Sequence, residues 1–342
     1  MRSIIIALVA IVLVPAGTGS LSSAEADWPG NVAVAAAMRG EPVQPVPPAP
    51  RHLDTRLVQL GRMLFHDRRM SRDDSISCAH CHPLATGGMD GLPHSMGIEG
   101  REGAVNAPTV YNSSLNFVQF WNGRARSLEE QVDGPVHNPV EMDTSWPQVA
   151  DKLRADPQMA AAFTALWGDP EPAPERIRAA IAAFERTLTT QAGRFDRHLQ
   201  GEQQVLTDRE REGYALFKSY GCSSCHQGQG VGGNLYEKMG VFEAYFPVNG
   251  EVSSADLGRF TVTGNPAHKH EFKVPSLRNV TLTAPYFHNG AVATLGDAIG
   301  LMARHQLGRT LPEHHKDLLQ QFLGTLSGLH PELRLAAPDK QH

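Results

Sequence analysis

The sequence predicts a mainly α chain of two fused modules joined by irregular, glycine-rich loops, and three observations carry that expectation. A five-residue pattern, Cys78-Ala79-His80-Cys81-His82, returns as Cys222-Ser223-Ser224-Cys225-His226. A glycine followed four residues later by phenylalanine precedes each copy, as Gly61–Phe65 and Gly213–Phe217, which reads as an internal repeat. Strand signals are scarce, whereas apolar residues recur at helical spacing through the middle of the chain.

The two patterns are C-x-x-C-H, the attachment signature of a c-type haem. Two thiols one helical turn apart can each form a thioether to one porphyrin, and the histidine that follows becomes the proximal iron ligand. A structural zinc site would need four ligands in one cluster, and a redox C-x-x-C has no use for the following histidine. The chain has four cysteines and both pairs are followed by His. Two covalent c-type haems leave no thiol for a disulfide.

In chain order, the start holds Arg2, an apolar run from Ile4 to Val14 and a small-residue tail through Ala24-Glu25-Ala26. This pattern predicts a cleaved signal peptide over 1–26, the run being too short to span a bilayer. A periplasmic location follows, and it suits covalent haem attachment. Residues 27–50 are rich in Ala, Val and Pro and read as an extended lead-in. The formal net charge of -5 gives no footprint for nucleic acid.

The spacing divides the remainder into an N-terminal haem module over 27–200 and a C-terminal one over 201–342. Asp143 to Trp167 is Ala-rich and helical in pattern. Glu175 to Thr190 puts Ile177, Ile181, Phe184 and Leu188 on one face. Thr207 to Glu210 is a capping box that opens the second module. Thr294 to Asp297 caps a helix on which Leu295, Ala298 or Ile299, and Met302 share a face, with Gly308 past its end.

The second module needs a sixth ligand or leaves its iron open. Thioether sulfur is a common partner for His in cytochromes c. The candidates after His226 are Met239 and Met302, and the position of Met302 late in the module favours it. The first module offers Met89, His94 and Met96 in a Gly-rich loop, none in a convincing ligand setting. Further on lie Trp121, Gln131 and Glu141. A carboxylate beside an open iron site can take a proton from bound peroxide and return it to the leaving oxygen.

Several blocks together resemble the bacterial dihaem cytochrome c peroxidase family, which also includes MauG. They are Leu60–Phe65, Asn106–Val110, Phe120–Arg124, Asn138–Met142, Phe272–Asn279, Thr283–His288 and Met302–Gly308, and they span nearly all of the chain after the signal segment. The resemblance implies a low-potential peroxidatic haem on Cys78, Cys81 and His82. It implies a high-potential electron-transfer haem on Cys222, Cys225, His226 and Met302. It places Trp121 between the haems, where it helps electrons cross, makes Glu141 the distal carboxylate and sets Gln131 and Pro135 in the same pocket. Asn106, with the backbone carbonyls of Thr283 and Pro285, matches a calcium site at the domain interface, and such oxygens suit a hard cation.

Hydrogen peroxide is the implied substrate, a small soluble cytochrome c or cupredoxin the implied donor, and a homodimer the implied assembly. The alternatives are a MauG-like oxidase that modifies a protein or small molecule, and a dihaem electron carrier without peroxidase turnover. One departure stands out. Many family members carry a His that caps the peroxidatic iron, and that position here is Ile98, which cannot ligate. His94, four residues earlier, is the available substitute. MauG also lacks the capping His, but its second haem has a Tyr ligand where this chain offers Met302.

Overall fold

The computed structural model describes residues 40–334, apart from 49, 51, 248 and 249. The expected signal segment, and the lead-in up to residue 39, lie outside the described residues. The described chain is mainly helical, as expected. In order run α1 (Thr55–Phe65), α2 (Leu128–His137), α3 (Trp146–Arg154), α4 (Pro157–Trp167) and α5 (Pro174–Glu185). After these come α6 (Arg194–Leu199), α7 (Asp208–Ser219), α8 (Leu295–Leu307) and α9 (Glu313–Gly324). A single helical turn, Cys78–Cys81, carries the first motif. Two short strands, β1 (Tyr236–Lys238) and β2 (Glu271–Lys273), pair antiparallel with Tyr236 opposite Lys273.

The sequence repeat is a repeat of one helix crossing. Gly61 brings α1 so close to α5 that a Cβ there would lie 1.8 Å from the Ala180 carbonyl oxygen. Gly213 does the same for α7 on α9, where a Cβ would lie 2.1 Å from the Leu318 oxygen. Only glycine permits either approach. Four residues on, Phe65 meets Phe184 edge-on at 5.4 Å between centroids, and Phe217 meets Phe322 at 5.1 Å.

Each crossing anchors its own apolar cluster. The first gathers Leu60, Phe65, Ile98, Ile177, Ile181 and Leu188; the second gathers Phe195, Tyr214, Phe217, Leu319 and Phe322. The described ends cross over. Val43 buries in the second cluster and bridges Gly228, while Leu333 packs in the first.

Local signals set the helix boundaries. The Asp143–Trp167 stretch resolves into two helices, because Pro157 cannot donate an N–H into a continuing helix. Asp156 caps the new start by accepting from the Gln158 N–H at 2.8 Å. Thr207 and Glu210 form the expected capping box on α7. Thr294 Oγ1 accepts from the Asp297 N–H at 3.1 Å, and α8 ends on Gly308 at φ 61°. Leu188 keeps its place in the core although α5 ends before it. Among the described residues no helix is long and apolar enough to cross a membrane.

Candidate active site

The first motif sits on its helical turn with His82 just beyond the end. A carbonyl can only accept, so the 3.0 Å contact between His82 Nδ1 and the Gly88 oxygen makes Nδ1 the protonated nitrogen. Nε2 then holds the lone pair, the arrangement that a metal-ligating imidazole takes. Burial lowers the histidine's pKa, which keeps the ring neutral. Burial also pushes the Cys78 thiol up to about 12 and the Cys81 thiol to about 11. None of the four cysteines is in a disulfide.

Glu141 lies within electrostatic reach of Cys81. The loop that carries it folds back on α2: the Met142 N–H bonds the Pro135 oxygen at 3.1 Å and the Glu141 N–H bonds the Asn138 oxygen at 3.0 Å. Asn138 Nδ2 donates to the Glu141 carboxylate at 2.6 Å. Burial raises the Glu141 pKa, and the Asn138 donor and the Arg124 charge pull it part of the way back. Arg124 lies 3.3 Å over the Phe120 ring. Gln131 stands on α2 one turn before Pro135, so the helix that returns the Glu141 loop also carries both expected pocket residues. Gly97 lets a second loop lie against this one, since a Cβ there would fall 2.0 Å from the Val140 oxygen.

The second motif opens on a cavity. His226 Nδ1 donates to the Val231 oxygen at 3.3 Å, again leaving Nε2 as the acceptor nitrogen, and burial pushes the ring's pKa down to about 4. Cys222 and His226 line the cavity together with Met302 from α8. Leu295, Ala298 and Ile299, the other members of that helix face, line it too. Met239 reaches the wall on the side of Cys225. A neutral imidazole with a fixed tautomer, two unpaired thiols and a thioether around one apolar cavity fit a covalent haem.

Trp121 borders the same cavity, and its indole N–H donates to the Asn106 carbonyl at 2.9 Å. Asn106, Thr283 and Pro285 come together on the cavity's wall. Asn106 is buried. Its Nδ2 donates to the Leu92 oxygen at 2.8 Å, which turns the side-chain oxygen the opposite way.

Ile98 is fully buried in the first cluster, and its N–H bonds the Glu141 carbonyl at 2.9 Å. His94 Nδ1 pairs with Glu102 at 2.9 Å, and its Nε2 is buried without a hydrogen-bond partner among the described residues. Met89 is buried, whereas Met96 is exposed.

Two buried charged residues beside the motifs escaped the sequence reading. Glu185, in the last turn of α5, is pushed up to about 8 by burial and lies in electrostatic reach of Cys78. Lys273 ends β2 on the wall of the cavity that holds His226. Nothing local marks either one, since a charged residue in a helix or strand is normally solvated. Position in the Phe272–Asn279 block was the one available signal for Lys273.

Comparison with known proteins identifies the family. Residues 55–204 match the family model of the di-haem cytochrome c peroxidase. A cytochrome c551 peroxidase of Nitrosomonas europaea is 45% identical over 297 residues, covering 86% of each chain. A cytochrome c551 peroxidase of Pseudomonas aeruginosa is 39% identical, covering 80% of each. The crystal structure of a MauG-like protein associated with microbial copper homeostasis superposes with a TM-score of 0.71 at 29% identity, covering 84% of this chain and 95% of that one. On that identity and coverage, the chain belongs to the di-haem cytochrome c peroxidase family.

Proposed function

We infer that the protein is a cytochrome c peroxidase that reduces hydrogen peroxide to water with electrons from a small soluble redox protein. The observation that carries this reading is the asymmetry of the two motifs. The second shares its cavity with the Met302 thioether, whereas the half-buried Glu141 carboxyl lies within electrostatic reach of the first. A plain electron carrier has no use for that carboxyl.

In this reading the chain forms two cytochrome c-like modules over 27–200 and 201–342, reached after a signal peptide directs it to the periplasm. Cys78, Cys81 and His82 hold the first haem, and Cys222, Cys225, His226 and Met302 hold the second. The bound haems supply one-electron storage and an iron centre for peroxide. Glu141 takes the proton from one peroxide oxygen and returns it to the other, so that the leaving group departs as water. Gln131 and Pro135 wall the same pocket. Trp121, tied by its backbone and its indole to both halves of the chain, holds the contact between them. Two electrons and two protons per peroxide balance as two waters.

Asn106 and the carbonyls of Thr283 and Pro285 offer three oxygens to a calcium ion, and the turned Asn106 side chain supports that assignment. Exposed Val241 and Phe242, on the rim of the second cavity, give an incoming cytochrome c or cupredoxin an apolar contact. The assembly is a homodimer in this reading. A MauG-like oxidase is the second reading, favoured by the likeness to the copper-associated MauG-like structure. Steady-state assay decides: peroxide should oxidise reduced cytochrome c at two per peroxide. Peroxide consumption without donor oxidation would sink the peroxidase reading.

A further inference from the structure

Lys273 is placed with care by its backbone. It stands opposite Tyr236 at the end of β2, and its N–H bonds the Trp121 carbonyl at 2.8 Å. The residue is 6% exposed and lines the cavity beside Cys222, His226, Met302 and Trp121. Burial alone acts on its ammonium and pushes its pKa down to about 8, with no charged neighbour to offset it. Burying a cation without an anion is unfavourable, and an anion beside this ammonium would offset that cost. The group that Cys222 and Cys225 attach brings two carboxylates of its own, the porphyrin propionates.

We propose that Lys273 is the ion-pair partner of a propionate of the second haem, and that its charge helps to hold that haem at high potential. The proposal rests on reading the second motif as a haem site. An uncompensated propionate stabilises the ferric iron more than the ferrous one, because reduction removes a positive charge from its neighbourhood. A cation on the propionate cancels that bias and favours the reduced state. Lys273 acts through the cofactor's edge and is a positioning residue. The Trp121 carbonyl that fixes its backbone links this ion pair to the wall between the modules.

The test is a redox titration of the full chain with both haems attached, followed by the separate visible bands of each haem. Lys273→Met should lower the reduction equilibrium constant of the second haem by about tenfold or more, about 59 mV for one electron. The first haem should not move. Lys273→Arg, which keeps the charge, should stay near wild type. Lys273→Gln should follow Met, and it carries the test if the methionine variant fails to fold.

An unchanged second potential in Lys273→Gln would overturn the proposal. So would an equal fall in the Arg and Gln variants, which would mark a packing effect, or a shift confined to the first haem. The haem reading fails separately: a chain mass lacking a haem on Cys222 and Cys225 would sink that reading, whereas two attached haems with unmoved potentials sink the role of Lys273 alone.

Discussion

The indole N–H of Trp121 is bonded to the backbone carbonyl of Asn106 at 2.9 Å. The residue expected between the haems therefore orients the residue expected to bind calcium. Outer partners of metal ligands typically carry 10- to 100-fold in affinity. Trp121→Phe keeps the ring and removes the donor. We expect about tenfold weaker calcium binding, measured by competition with a chelator. Unchanged affinity would separate Trp121 from the calcium site.

Met302 stands on the face of α8 that lines the second cavity. Met302→His should keep that iron six-coordinate while lowering its potential, because thioether ligation raises it. An unmoved potential would shift attention to Met239, which reaches the same wall.

Ile98, the position at which the resemblance leads us to expect a capping His, is fully buried, and His94 is paired through Nδ1 with Glu102. We expect the fully oxidised protein to show a high-spin first haem and to react with peroxide without prior reduction. His94→Ala should leave that spectrum unchanged. Two low-spin haems in the wild type, with one turning high-spin in His94→Ala, would identify His94 as the lid.

What the sequence made legible was what spacing encodes. Cys78 to His82 and Cys222 to His226 needed no tertiary information, and neither did the cap at Thr207 or the face through Met302. Gly61 and Gly213 were visible as a repeat, but their reason, contact with the carbonyls of Ala180 and Leu318, lies in residues more than a hundred positions away. Glu185 and Lys273 were not legible, because only the packed structure tells a buried charge from a solvated one. The break at Asp156-Pro157 was written in the sequence and obscured by the Ala-rich pattern around it.

Glu185 makes stability depend on pH. Its folded pKa, about 8, lies above the ordinary value of 4.5, so the folded state holds a proton that the unfolded chain releases. Stability from this group is complete below pH 4.5 and falls as the pH rises through 8. The loss by pH 7 is about 3 kcal/mol. Glu185→Gln should flatten that slope, so that its urea midpoint gains on the wild type between pH 5 and 8. Parallel profiles would show that Glu185 is already ionised in the folded protein.

Burial raises the Glu141 pKa, so a base at this position is lost at a higher pH than an ordinary glutamate as the solution is acidified. Turnover of peroxide with reduced cytochrome c, in the wild type and in Glu141→Gln, bears most directly on the assignment of peroxidase chemistry to the first motif. The wild type should oxidise two cytochromes per peroxide, with an acidic limb above the usual carboxylate range. The Gln variant should retain both haems and lose about 100-fold in rate. Near wild-type turnover in Glu141→Gln, with both haems in place, would contradict it.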